Sequence, residues 1–476
     1  MTWPAIILWI LIAGAVASRG LQWLFYMFYI SGAFGTLLMV PGNAVGGINL
    51  LAQSFCAVFI VTKLAVQPKV LAGVAALALD FRKLGFLALF LVWSLFTAYV
   101  MPRVFMGRVN VVPIVPFVPD PQPLVPTAAN LTQSAYIALS IGLVLVCAAA
   151  GRTGNFFRYF LHAVLLGGLM LIITGFLDLL TQGTELLAPF RNANYALLTD
   201  AEILGSKRMV GLMPEASSYG AACVGILGAL VFLRQSFEGK LRSVFVPITI
   251  FGLITVTILS TSSTGYAGLG VLAAVYAADL LLRAQLTDRM HKRGVFWEVS
   301  FLMAAAVVFL GLVILKPSMF DPLSNLFDSV VLQKSTSDSY IERSGWTRYA
   351  WQAFLDTDGW GVGLGSARSS SWYFSVLSNT GFIGAALMGT FLLQTFLRRT
   401  AVASGPEADL LRGLKFSAIP NFVMAGLAGT TPDFGAHNAI IFGLITALSS
   451  AAGKERISQK VGETAFDTAL PSRCDE

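Results

Sequence analysis

Charge is what this chain of 476 residues most lacks. Only 12% of it is Asp, Glu, Lys or Arg, against about 25% in a soluble domain. That scarcity excludes a soluble enzyme on a membrane anchor, and a disordered scaffold as well. Cysteine is scarce too: Cys56, Cys147, Cys223 and Cys474 are the four. Three lie inside apolar runs, and none has the spacing of a metal site or a disulfide framework, so a disulfide-stapled secreted domain is excluded. The chain has no Walker loop and no internal repeat, so ATP-driven transport by this chain alone is not expected. No basic stretch precedes the first apolar run, so no cleaved signal peptide is expected.

What is abundant is hydrophobicity: 56% of residues are apolar and 35 are Phe. A helix needs about 20 apolar residues to cross the hydrocarbon core. Runs of that kind fall at roughly 4–17, 21–40, 46–66, 69–80, 84–102, 134–150, 156–180, 218–234, 243–260, 265–282, 295–315, 373–397, 414–429 and 433–450. The fold class expected is all-α: one polytopic membrane domain over 1–450, with about 12–14 transmembrane helices, and a tail at 451–476. The first and fourth runs are short, and residues 1–80 are the hardest part to divide.

The net charge of +7 reads as orientation, not as affinity for nucleic acid, because the basic residues sit between apolar runs. Arg82, Lys83, Arg152, Arg234, Lys240, Arg242, Arg283, Arg289, Lys292, Arg293, Arg398, Arg399, Arg412 and Lys415 fall in alternate loops. Placing them in the cytoplasm, together with the basic tail, puts both termini there. Three longer loops, 103–133, 181–217 and 316–372, then emerge on the other side. The first is rich in proline, hence stiff and extended. The third holds Trp346, Trp351, Trp360 and Trp372, too aromatic for disorder, and its stretch 346–354 has the pattern of a short amphipathic helix.

Chemistry-bearing residues collect in these external loops. The segment Lys207 to Gly220 sets Arg208 and Glu215 just before an apolar run. One reading is a helix start, with Ser217 as N-cap and the acid at the positive helix end. The other is an anion-binding arginine beside a carboxylate able to act as a general base. Arg191 is a further candidate in that loop. Ser260 to Gly265 reads as a tight turn whose hydroxyls satisfy freed backbone groups, or as contact with a polar substrate. The third loop carries Arg343, Arg348 and Arg368 among Trp346, Trp360, Trp372 and the run Gly359-Trp360-Gly361-Val362-Gly363-Leu364-Gly365. Those glycines lack the strand–turn–helix context of a dinucleotide fingerprint. The arginines either snorkel to lipid phosphates or bind an anion, and guanidinium forks suit diphosphate oxygens. Tryptophan faces suit sugar rings, and Trp at a membrane interface is also ordinary aromatic belt. Together these point to a ligand with a diphosphate, a glycan and a lipid tail.

Within the runs, Lys63, Asp80, Arg158, His162 and Asp178 are ionisable, and charge at that depth is a functional hypothesis by default. Asp80 and Arg158 can snorkel at cytoplasmic ends. Asp178 is placed to face the external site. His437 reads as a hydrogen-bonded histidine at a helix end or as an acid/base group, and His291 as solvated.

The chain resembles the O-antigen ligase/polymerase superfamily of bacterial envelope glycan enzymes. The resemblance covers roughly 205–397 and rests on Gly211 to Gly220, Ser260 to Gly270, and above all Arg343 to Gly384, including Leu377-Ser378-Asn379-Thr380-Gly381-Phe382-Ile383-Gly384. Arg348 and Gly359 have the family's eleven-residue spacing. The resemblance implies a GT-C-like membrane fold with large periplasmic loops, in the bacterial inner membrane. It implies transfer of a glycan from an undecaprenyl-pyrophosphate donor on the periplasmic face, with no metal, nucleotide or cofactor. Ligases of the family carry a His just before the span after the large loop. Here that region reads Ala367-Arg368-Ser369-Ser370-Ser371-Trp372, which favours the Wzy-type polymerase branch and leaves the general base unassigned.

The reading that follows is a glycosyltransferase that polymerises lipid-linked repeat units into exopolysaccharide, capsule or O-antigen. Arg348, Arg368 and Arg343 neutralise the diphosphate, assisted by Arg208 and, more weakly, Arg191. Glu215 deprotonates or orients the acceptor hydroxyl. Trp346, Trp360 and Trp372 position sugar rings. Expected partners are the undecaprenyl-pyrophosphate-linked glycan, membrane lipids and a chain-length regulator, and no nucleic acid. The alternatives are a ligase acting on lipid A-core and, in another class, a flippase for lipid-linked sugars. A flippase calls for paired mid-membrane charges, broken helices and repeat symmetry, of which little is present.

Overall fold

The structure is a computed structural model, and it describes residues 2–18, 20–41, 44, 48–115, 120–151, 154–195, 197–200, 202–203, 206–285, 295–296, 298–300, 303, 338–399 and 405–449. Most of the expected span 295–315, residues 316–337 of the third loop, His291 and the tail 451–476 lie outside the described residues.

The described chain is helical nearly throughout. The helices are α1 (Trp3–Ala17), α2 (Gln22–Ser31), α3 (Ala52–Ala65), α4 (Pro68–Leu79), α5 (Gly85–Val104), α6 (Ala128–Ala150), α7 (Gly154–Leu180), α8 (Ala216–Leu233), α9 (Val246–Leu259), α10 (Ser263–Gln285), α11 (Asp338–Asp356), α12 (Trp372–Leu397), α13 (Pro406–Ala428) and α14 (Ala436–Ser449). Strand occurs in three small antiparallel pairs: β1 (Leu38–Val40) with β2 (Leu50–Leu51), β3 (Asn110–Val111) with β4 (Gln122–Pro123), and β5 (Glu202–Ile203) with β6 (Ser206–Lys207).

Among the described residues, seven helices are long and apolar enough to cross a membrane: α5, α6, α7, α8, α9, α10 and α12. The pair α3 and α4 is bent by 101° and makes an eighth if counted as one span. Pro68 causes the break: it removes an N–H and pushes Gln67 into the extended region (φ −77°, ψ 118°). Helices α1 and α14 are apolar but shorter. The protein is thus an all-α polytopic membrane protein. The span expected at 21–40 divides into the ten-residue α2 and strand β1. Helix α13 packs against α8 and α10, yet its first turns carry Glu407, Asp409, Arg412 and Lys415.

At one end of the bundle, among the described residues, lie the loops that carry Arg191, Arg208 and the glycine-rich segment. At the other lie Arg234, Arg283, Arg412 and Arg398, the first three bridged through Glu298 and Asp279 and the last donating to the carbonyl of Lys83. The two described ends of the chain do not share a side. Asn192 donates to the Thr2 hydroxyl at 3.4 Å and Trp3 meets the ring of Phe190, at the end with the long loops. The last turn of α14 contacts the opposite end, where Arg398 donates to Thr446.

The loop bounds also shift. Helix α6 begins at Ala128, fixed by a capping box between Thr127 and Asn130, so the first loop stops short of 133. Helix α8 begins at Ala216, and its N-cap position is Glu215, not Ser217.

One apolar core runs from α1 to α14. A separate small cluster of Val109, Val111, Leu124, Ala353, Val362 and Ala367 clamps the β3–β4 hairpin against α11 and the glycine segment. Val111, Leu124 and Val362 are 3%, 0% and 0% exposed, each worth up to about 1.5–3 kcal/mol outside the bilayer. This cluster seats α11, the expected amphipathic segment, over the loop end of the bundle.

Candidate active site

An open cavity of about 1670 Å³ lies at the loop end. Its walls draw on the first loops, the α6 start, the segment before α8, the α9–α10 turn, α11 and the α13–α14 turn. Of the residues expected at a site, Arg208, Glu215, Arg343, Trp346 and Arg368 line it. Residues some 160 positions apart in sequence are thereby brought to one surface.

Arg343, on α11, donates from one guanidinium nitrogen to both Glu215 oxygens, at 2.9 and 3.0 Å. Both side chains are 27% exposed. Ser217 donates to the same carboxylate. Glu215 therefore keeps its extended N-cap backbone (φ −156°, ψ 163°) without capping α8 by its side chain. Arg208 donates through Nε to the Thr261 hydroxyl at 3.1 Å and through Nη2 to the Thr261 carbonyl at 3.0 Å. Burial works against its charge and lowers its pKa, with Glu215 offsetting part of that cost. Thr261 itself sits at φ 47°. The Ser260–Gly265 segment is the expected tight turn, and Ser262, Ser263 and Thr264 also line the cavity.

Arg368 stacks over Trp346, 4.9 Å from the ring centroid, and donates to the Val115 carbonyl at 3.3 Å. Burial lowers its pKa too, opposed by Glu342. The glycine-rich segment before it is a positioning device. Asn379, fully buried, accepts hydrogen bonds from the backbone N–H groups of Gly365, Ser366 and Ala367 and donates to the Ala367 carbonyl. Gly361 (φ 81°) and Gly381 (φ 66°) face each other. A Cβ on Gly361 would meet the Gly381 nitrogen at 2.6 Å, and one on Gly381 would meet the Trp360 carbonyl oxygen at 2.2 Å. The resemblance-bearing motif from Arg343 to Gly384 thus holds Arg343 and Arg368 at the cavity wall.

Four expected residues fall elsewhere. Arg348 is exposed on α11 and lies over Tyr349, away from the cavity. Its eleven-residue partner Gly359 ends that helix at φ 79°. Trp360 is 48% exposed beside Trp93. Trp372 is 3% exposed, and its Nε1 donates to the Pro432 carbonyl at 3.0 Å. Arg191 pairs with Asp178 at 2.7 Å. Asp178 does not face the cavity either. It is fully buried, also binds Lys207 at 2.9 Å, and accepts from the backbone N–H groups of Val210 and Gly211. It fixes the segment that presents Arg208 and Glu215. His437 is hydrogen-bonded to Tyr29 at 3.1 Å, as a helix-end histidine, and Lys63 caps α1 by donating to the Val16 and Ser18 carbonyls.

A further part of the lining is not marked in the sequence. Asp433, in the turn between α13 and α14, lines the cavity with Gln133 and Tyr136 of α6 and with Asn49. Deep in the protein but partly open to the cavity, its carboxyl is pushed up by burial to about 6, against hydrogen bonds from Ser140 and from the N–H groups of Phe434 and Gly435. An Asp after a proline in a turn before a helix reads as a cap, so nothing local marks it. Compared with known proteins, the chain matches no family model and no curated protein.

Proposed function

We propose that this protein is a metal-independent glycosyltransferase that polymerises lipid-linked oligosaccharide repeat units, on the face of the bacterial inner membrane where the cavity opens, the periplasmic side. The donor is an undecaprenyl-pyrophosphate-linked glycan. One observation carries the reading: Arg208, Arg343 and Arg368 line a single open cavity, with Trp346 and Glu215, at one end of a membrane helix bundle. Three guanidinium groups so placed suit a diphosphate leaving group, whose charge grows as the C1–O bond breaks. The cavity is large enough for sugar rings, and the bundle beneath it gives a lipid tail its natural solvent. Trp346 offers a ring face to a sugar. Glu215 sets the direction of Arg343.

The test is reconstitution of the purified full chain in liposomes. The probe is the undecaprenyl-diphosphate oligosaccharide extracted from source cells deleted for this chain, supplied with and without lipid A-core. A ladder of products from the lipid-linked unit alone is expected. A single shifted band that requires lipid A-core would make the protein a ligase, and transfer of the unit across the bilayer with no new bond would make it a flippase.

A further inference from the structure

The cavity lining includes two chemically different groups of residues. The first holds Arg208, Arg343, Arg368 and Glu215, and the Glu215 carboxylate is already engaged by Arg343 and Ser217. A carboxylate so held is poorly placed to take a proton, because proton transfer must first compete with a charge-assisted pair. The second is Asp433, with the amide and hydroxyl groups of Asn49, Gln133 and Tyr136. Its turn is pinned from α12 by Trp372 to the Pro432 carbonyl at 3.0 Å and by Ser375 to the Thr430 carbonyl at 3.4 Å. Gly435 donates its N–H to Oδ1 at 3.1 Å, and Ser140 reaches it from α6.

The titratable groups around it are few. Tyr136 faces it from α6 and donates to the Asn49 carbonyl at 2.6 Å. Tyr195 stands behind Tyr136 and donates to the Gly35 carbonyl at 2.6 Å. His437, next along the chain, is turned to Tyr29 of α2. Among the described residues, no cation acts on Asp433.

We infer that Asp433 is the general base that takes the proton from the acceptor hydroxyl, and that Gln133, Tyr136 and Asn49 beside it form the subsite for the acceptor sugar. This rests on the glycosyl-transfer reading above. In the step, the acceptor O–H bond breaks and its proton passes to the Asp433 carboxylate. The oxygen's electron pair forms the new bond to the donor C1. The C1–O bond to the diphosphate breaks, and its pair leaves on the phosphate oxygen, where Arg208, Arg343 and Arg368 receive the charge. Asp433 then releases its proton to water. A carboxyl raised to about 6 is still ionised at neutral pH and is a stronger base than an ordinary one, which is what proton abstraction from a hydroxyl asks for.

The experiment uses the full chain in liposomes with the extracted undecaprenyl-diphosphate oligosaccharide, from pH 5 to pH 8. Wild-type polymer formation falls as pH drops through the Asp433 value of about 6. D433N lowers the rate at pH 8 by about 10²–10⁴-fold and removes the acid limb, while binding undecaprenyl diphosphate as the wild type does. S140A removes a hydrogen bond that favours the ionised form, so it moves the acid limb to higher pH and leaves the rate at pH 8 near wild type. A D433N protein that polymerises at the wild-type rate overturns the inference, and leaves the polymerase reading standing. Should D433N not fold, S140A decides, and an unmoved acid limb overturns the inference. A wild type that makes no polymer overturns the reading beneath it as well, and is told apart by failing before any variant is compared.

Discussion

Arg343 reaches across the mouth of the bundle to grip both oxygens of Glu215 from a single guanidinium nitrogen, at 2.9 and 3.0 Å. The pair joins α11 to the start of α8 over 128 positions of sequence. With both side chains partly exposed, it is worth about 1 kcal/mol to stability. Its larger consequence is geometric, since it aims the remaining guanidinium nitrogens of Arg343.

Alanine at Arg343 or Arg368 is expected to lower polymer formation by about 10²–10³-fold, the cost of losing one charge-stabilising donor. Alanine at Arg208 acts in the same direction. E215Q keeps the shape of the pair while weakening it, so it costs less than R343A. Single-turnover rates in liposomes, at matched protein levels, check the order.

Alanine at Arg348 serves as the contrast. Arg348 is exposed and outside the cavity, so its loss leaves polymer formation within about twofold of wild type, as for an ordinary surface site. A loss as deep as that of R343A would place Arg348 in the chemistry after all.

Asp178 is expected to govern folding. D178A strands Arg191, Lys207 and the two backbone N–H groups that it now satisfies. Removing one partner of a buried ion pair costs about 3–5 kcal/mol. The variant melts lower in detergent and accumulates poorly, whereas R191A, at 16% side-chain exposure, has a milder effect.

G381A meets two penalties. Its φ of 66° disfavours a side chain, and the added Cβ collides with the Trp360 carbonyl. A loss of about 1–3 kcal/mol is expected from the backbone alone, and more from the collision. Thermal melting checks this, and the same variant lowers polymer formation because the segment bearing Arg368 is displaced.

Asp433 carries a stability cost of defined sign. Its folded value of about 6 lies above the ordinary 3.8, so the native state holds the proton more tightly than the unfolded chain. The stability this group contributes is full below 3.8 and is lost as pH rises to about 6. At pH 7.5 D433N is therefore expected to melt higher than wild type, by about 1–3 kcal/mol of stability, and the gap closes toward pH 4. A variant that loses activity while gaining stability marks a group kept for function.

Hydrophobic length and charge scarcity alone determined that this is an all-α polytopic membrane protein, because apolar residues per turn and the cost of unpaired backbone in lipid depend on local sequence. The loops bearing Arg208, Glu215, Arg343, Trp346 and Arg368 were legible for the same reason: charge and aromatics clustered between apolar runs stand out one segment at a time. What a segment meets is not local. Arg191 and Arg348 look alike in sequence, yet one neutralises a buried Asp178 and the other lies exposed. Trp372 reads as a sugar platform and proves to be the pin under the Asp433 turn. Only the tertiary packing set α13 and α14 against α6 and α8 and so brought Asp433 into the same cavity as the arginines. Burial and partnership, which fix the work a charged group can do, come from contacts between helices far apart in the chain.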